Sequence, residues 1–236
     1  DSVFVTSSLA DNSRNISLLS EFFNVDISGK FTPSKVIADV TRLSKEYTQY
    51  FFDKEQIRLD YYAQLPYADV ANKYQLDYKV TFKKSEPFFA YFYPALYISH
   101  GTELSGNLNI RNTAELSLAG KIDTLRHGDL VFYNNDLDFN TSKEAISPKI
   151  LTSLIFNSDK QKLGDMTPTE KMEVSGAWGQ GNVIEFDGRI RQQDSKNKAQ
   201  AFGKLTFLSE GLDITFNPKN TKLDLLGSQW MLGKNN

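Results

Sequence analysis

The chain has 236 residues, with 27 Lys and Arg against 29 Asp and Glu, a net charge of -2 and no cysteine. So even a balance gives no basic field for a nucleic-acid backbone, and the missing cysteines exclude disulfides and thiolate metal sites while fitting either a reducing cytosol or a disulfide-free periplasm. No apolar run is long enough to span a membrane as a helix, and an apolar share of 40% is enough for one large packed unit.

In chain order, Val3 and Val5 open a first strand, Asp11-Asn12-Ser13 makes a turn, and Ile16 with Leu18 starts a second strand. Val25, Ile27, Gly29 and Phe31 form a third. The period then changes. Thr32-Pro33 is a helix start, with a cap residue followed by proline at the first helical position. Val36, Ile37, Val40, Leu43, Tyr47 and Tyr50 recur at steps of three or four, which predicts an amphipathic helix over about 33–50. Its polar face is mixed in sign, so it reads as a cover on an open edge or face of a sheet rather than as a membrane-surface element.

Strand alternation resumes at Ile57, Leu59, Tyr61, Ala63 and Leu65, ended by Pro66, and again from Tyr74 to Phe82. Ser85 then caps a short helix over about 86–93, with Pro87 in its first turn. Phe88, Phe89, Tyr91 and Phe92 crowd that helix as an anchor buried against the sheet, or as an exposed plug or docking patch.

Leu104, Gly106, Leu108 and Ile110 alternate, as do Leu116, Leu118, Gly120 and Ile122. A further run carries Leu130, Phe132 and Tyr133, and another begins at Leu137 and Phe139. Ile150 to Phe156 makes a strand closed by a turn at Asn157-Ser158-Asp159, with a second turn at Gly164-Asp165. Strands follow at Met172–Trp178, Ile184–Ile190, Ala201–Phe207 and Leu212–Phe216. Leu223 and Leu225 lead to a last run with Trp230 and Leu232. Gly106, Gly120, Gly176, Gly188 and Gly203 sit inside strands. A strand glycine weakens its strand unless the site needs it, so their recurrence predicts bulges, bends or close approach within one continuous sheet. The count is roughly thirteen or fourteen strands with short links, a meander too long to stay flat without curling, splitting or closing.

Chemistry-bearing constellations are sparse. His100 and His127 stand near turns without metal-ligand spacing. Asp136 and Asp138 alternate on the wet side of a strand. No phosphate loop, dinucleotide fingerprint or serine-hydrolase elbow occurs. The reading is of a protein that is not an enzyme and uses no cofactor or metal. Trp178 and Trp230 both continue an apolar alternation and are expected to pack inward.

With the strands laid out, DNSRNISLL, FTPSKVIADVTRLSKEYTQYFF, KKSEPFFAYFYPALYISHGTELSG, LSLAGKIDTLRHGDLVFYNNDLDFNT and GLDITFNPKNTKLDLLGSQWMLG give the chain its signature. Together they resemble the translocation and assembly module subunit TamB family of the Bacteroidota type, in the AsmA-like superfamily. The segment from Glu86 to Gly106 carries the most specific part of the resemblance.

The resemblance implies a mainly β fold, a long antiparallel meander curled into a U-shaped groove (a β-taco), forming a single elongated region over 1–236. Helical insertions would lie at 33–52 and 86–94. It implies an internal or C-terminal portion of a longer protein anchored in the inner membrane, lying in the periplasm and bridging inner and outer membranes of a Gram-negative bacterium. Phospholipid acyl chains and an Omp85-type outer-membrane barrel would be its partners. The apolar face read from the alternation supplies groove candidates at Leu104, Leu108, Ile110, Leu116, Leu118, Ile122, Ile184, Phe186, Leu205, Phe207, Leu212 and Ile214. Phe88, Phe89, Tyr91, Phe92 and Trp230 are candidates for a plug or partner contact. The same face serves equally as a closed, protein-filled core of a structural or docking module.

Overall fold

The computed structural model describes residues 2–52, 55–64, 73–144, 147–179, 181–208 and 211–233. The first half holds β1 (Phe4–Ala10), β2 (Ser13–Leu19), β3 (Phe23–Lys30), α1 (Pro33–Phe52), α2 (Glu55–Gln64), β4 (Tyr74–Phe82), α3 (Glu86–Phe92), β5 (Leu96–Ile98) and β6 (Glu103–Ile110). Three long strands follow, β7 (Thr113–His127), β8 (Leu130–Glu144) and β9 (Ile150–Leu163). The chain continues with β10 (Thr169–Trp178), β11 (Val183–Gln192), β12 (Lys198–Leu208), β13 (Gly211–Phe216), β14 (Lys222–Leu225) and β15 (Ser228–Met231).

The 15 strands of the described residues belong to one antiparallel sheet whose main path follows the chain, β1-β2-β3-β4-β6-β7-β8-β9-β10-β11-β12-β14-β15, with β5 and β13 beside it. The first hairpin is closed by Asp11 and Asn12, both at positive φ, the geometry that matches the twist of paired strands. Two long strands take a split partner along one edge. β7 pairs with β6 over Ala114–Lys121 and with β5 over Leu125–His127. Between them the Ser99 hydroxyl accepts the Thr124 N–H at 3.1 Å. β12 pairs with β13 over Gly203–Leu208 and with β14 over Lys198–Gln200, and the intervening Asn217–Thr221 loop leaves the sheet.

The register aligns one face of the sheet in rows that cross many strands. One row runs Leu76, Leu108, Leu116, Thr141, Thr152, Trp178, Ile184, Leu205 and Ile214. Its neighbour runs Ile27, Tyr78, Gly106, Leu118, Phe139, Leu154, Gly176, Phe186, Gly203 and Phe216. The strand glycines therefore lie on the apolar face, interleaved with large side chains. At Gly106 a Cβ would strike the Ser117 carbonyl, beneath the Tyr78 hydroxyl that donates to that carbonyl at 2.6 Å. At Gly203 a Cβ would lie 2.7 Å from the Phe186 ring, which meets Phe216 edge-on across it. Close approach is thus the reason for these two glycines, whereas Gly188 has open space around it.

Helix α1 begins as expected, with the Thr32 carbonyl accepting the Lys35 and Val36 N–H groups, and it runs to Phe52. It lies on the apolar face. Val36 and Leu43 pack on Tyr74, Leu76, Leu108, Ile110 and Ala114, while Tyr47 and Tyr50 pack on Ile150, Trp178 and Ile184.

Several expectations are corrected. The strand expected at Ile57–Ala63 is helix α2, and Leu65 and Pro66 lie outside the described residues. Its buried stripe is Arg58 and Tyr62, four apart, with Tyr61 beside them, while Ile57 and Leu59 are exposed. The aliphatic alternation was therefore incidental to a stretch rich in helix formers. The runs at Leu130–Tyr133 and Leu137–Phe139 are one strand, interrupted at Asn134 by a positive φ of 51 rather than by a turn. Asn157-Ser158-Asp159 continues β9, with Ser158 buried and donating to backbone carbonyls. Ser85 makes no side-chain cap. Its hydroxyl donates to the Ile98 carbonyl, tying α3 to β5, a strand that the alternation did not predict.

Candidate functional site

The apolar face divides into two halves with different surroundings. In the covered half, the expected groove residues Leu108 (4% exposed), Leu104, Ile110 and Ile122 are buried, and Leu116 and Leu118 are half-buried. Their neighbours are protein. Leu108 and Ile110 meet the residues of α1, while Leu104 and Ile122 join Ile98, Phe82, Phe89 and Leu96 beneath α3.

A buried ion pair crosses this covered half. Glu46 of α1 and Lys143 of β8 approach to 2.7 Å, both side chains at 0% exposure. Lys143 also donates to the carbonyls of Glu144 and Ser147, and its ammonium lies over the Tyr62 ring of α2. Arg42 forks between Asp39 and Glu46, Asp39 accepts the Tyr74 hydroxyl, and Glu46 accepts the Tyr61 hydroxyl. Arg58 stacks over Tyr50, whose hydroxyl donates to the Pro148 carbonyl. Loss of hydration lowers the Lys143 pKa, opposed by the Glu46 carboxylate. Burial pushes the Tyr50 phenol up to about 12, opposed by Arg58, and raises Tyr62 and Tyr74 as well.

These charged residues were absent from the expected site. In the sequence, Glu46 and Arg42 are an ordinary i,i+4 pair on the polar side of α1, and Lys143 ends a strand. The one available signal was that α1 carries Glu46 directly beside the apolar Tyr47.

The other half of the face is only partly covered, with Tyr47 and Tyr50 of α1 reaching as far as Ile184. Ile184, Phe186, Leu205 and Phe207 are half-buried, and Leu212 and Ile214 are each 50% exposed, with Phe216 at 44%. Phe186, Phe202, Gly203, Phe216 and Pro218 line a cavity of about 690 Å3 where the β13–β14 loop leaves the sheet. Three phenylalanines share the lining with polar residues, Glu185, Lys204, Thr215, Asn217, Lys219 and Asn220. Lys204 is held by Glu185 at 2.9 Å.

The plug and partner candidates separate. Phe88 packs on Phe22 and Phe23, and Phe89 stacks on Phe82, so these two anchor α3. Tyr91, at 82% exposure, and Phe92 project into solvent. Trp178 is buried between Tyr47 and Tyr50, with its indole N–H donating to the Gly181 carbonyl. Trp230 is 63% exposed on β15, contrary to the expected inward packing, because β15 is the last strand of the sheet order and, among the described residues, pairs with β14 alone.

His127 is exposed, with its Nε2 2.9 Å from the Tyr93 hydroxyl, and Asp136 and Asp138 lie on the exposed face. Among the described residues no cluster of three or more His, Cys, Asp or Glu side chains could hold a metal ion, and no helix is long and apolar enough to cross a membrane. What this face offers is an apolar surface that can bury hydrocarbon. No family model, no curated protein and no solved structure matches this chain.

Proposed function

We propose that the chain is a periplasmic segment of an envelope-spanning bridge, which holds phospholipid acyl chains on its apolar sheet face as they pass between the inner and outer membranes. In this reading the sheet bends into a groove of U-shaped section. Helix α1 fills the stretch from β4 to Ile184 of β11, and hydrocarbon occupies the remaining stretch at β11–β13. The observation that carries it is the partly exposed stretch of Phe186, Leu205, Leu212, Ile214 and Phe216, whose rows continue those covered by α1 without a break in register. Apolar area left in water costs about 25 cal/mol per Å2, and an acyl chain gains about 0.8 kcal/mol per buried CH2, so a lipid needs no charged receptor to be held there.

A second reading has its own observation. Trp230, Met231 and Leu225 are exposed on the β14–β15 ribbon, and a sheet edge of this kind can accept a strand from an Omp85-type barrel. The two readings are compatible in one protein.

The test is binding of spin-labelled phosphatidylcholine to the purified chain. Ile214→Asp and Phe186→Asp should each weaken it about tenfold, equivalent to about 1.4 kcal/mol, with the circular dichroism spectrum retained. Unchanged binding in both variants would refute the lipid reading. For the docking reading, removal of β15 should abolish co-purification of the barrel, and retention of the barrel would refute it.

A further inference from the structure

The α1–α2 segment enters between two strands that pair directly with each other. β3 and β4 are in unbroken register from Phe23 opposite Phe82 to Lys30 opposite Gln75. The helices leave the sheet after Lys30 and return at Tyr74, so lifting them breaks no strand pairing. Beneath α1 lies the same row of side chains that becomes exposed at Ile214 of β13.

The attachment of α1 to that row is unusual for a helix meant to stay. Its centre rests on a charge pair, Glu46 to Lys143, with no solvent at either side chain. A buried ion pair loses hydration that its mutual attraction only partly returns, and apolar residues of the same volume often hold as well or better. Next to it the Gln49 side-chain carbonyl is buried without a hydrogen-bond partner among the described residues. The helix also divides its apolar residues. Val36 and Leu43 face the sheet, while Ile37 and Val40 remain exposed.

We propose that α1 and α2 form a displaceable cover over the apolar face from β4 to Ile184 of β11, latched by the Glu46–Lys143 pair. The inference rests on the lipid reading for its purpose, since displacement would join the covered and exposed stretches into one apolar surface. It stands on topology and packing for its mechanism. A latch made of charge holds the cover in one register, because among the described residues Glu46 is the carboxylate that pairs with Lys143. It also leaves the cover open to release by anything that competes for that ammonium.

The experiment is hydrogen exchange on the whole chain, read separately over α1 and over β6–β8, for the wild type, Glu46→Gln and the double variant Glu46→Leu with Lys143→Met. Glu46→Gln should speed α1 exchange at least tenfold with the β6–β8 amides unchanged. The double variant should slow α1 exchange below the wild type. Equal acceleration in helix and sheet would overturn the proposal, since the pair would then hold the whole fold, and so would α1 exchange that neither change alters. If Glu46→Gln does not fold, the double variant decides by the same comparison. Spin-labelled phosphatidylcholine separates the two readings. A cover that opens in Glu46→Gln without any gain in probe binding upholds the latch and removes lipid as its purpose.

Discussion

Two parts of the sheet carry the same pattern and meet different ends. In β4–β7, Leu76, Leu108 and Leu116 stand in one row, as Ile184, Leu205 and Ile214 do in β11–β13. Glycine interrupts the neighbouring row in both, at Gly106 and at Gly203. Yet Leu108 is sealed and Ile214 is half open to solvent. Strand alternation decides which face is apolar. What covers that face is decided by an insertion elsewhere in the chain, here the helices between β3 and β4. Apolar alternation is therefore evidence for a face and not for a core.

The largest expected contrast comes from charge. Leu108→Asp places a carboxylate beneath α1 with no partner and should abolish cooperative unfolding of the native chain, read by denaturant titration. Ile214→Asp can turn its carboxylate to water and should cost less than about 1 kcal/mol. Comparable losses at both positions would break the distinction between the two halves.

Next in size is the ion pair. Lys143→Ala leaves the buried Glu46 carboxylate with Arg42 as its remaining charge partner and should cost about 3 kcal/mol, as followed by fluorescence of Trp178, which lies against Tyr47 and Tyr50. The double change to Leu and Met should recover most of that loss.

The glycines give a smaller and sharper test. Gly106→Ala drives a methyl into the Ser117 carbonyl, a backbone atom that cannot swing aside, and should cost about 1–3 kcal/mol. Gly188→Ala meets nothing within 4 Å and should stay within about 0.5 kcal/mol of the parent. Thermal melts of the two variants check this directly.

How much of this was legible follows from the same physics. The face residues and most strand positions could be read because period two is a local property. The glycine recurrence pointed to close approach, and register explains why at Gly106 and Gly203. Helix α2 was misread because Ile57, Leu59 and Tyr61 imitate a strand, while the residues that pack are Arg58 and Tyr62. The Glu46–Lys143 pair could not be found from spacing, because its members lie on separate elements joined only by tertiary packing. Trp230 looked like Trp178 in sequence. The difference is that Trp178 has α1 above it and Trp230 sits on the strand at the end of the sheet order.

The smallest effect expected is in the pH dependence. Tyr50, Tyr62 and Tyr74 are held above the ordinary phenol value of 10.0 by burial. Their folded pKa exceeds the unfolded one, so their contribution is complete below pH 10.0 and is lost as pH rises through the folded value, about 12 for Tyr50. Lys143 acts in the opposite sense. Its folded pKa lies below 10.5, so burying its charged form costs stability at lower pH, and that cost lifts as pH rises from the lowered value toward 10.5. β11, β12 and β13 contain no tyrosine. Alkaline loosening above the tyrosine range should therefore begin at the covered half, with delayed tyrosinate absorbance and early hydrogen exchange in α1.

The most direct test of the central claim is photo-crosslinking with a phospholipid that carries a diazirine on its acyl chain, followed by mass-spectrometric mapping of the labelled positions. The account predicts label on Phe186, Leu205, Leu212, Ile214 and Phe216, with Leu108 and Ile110 protected beneath α1. Label spread equally over the opposite face of β11–β13, or absent from that row, would contradict it.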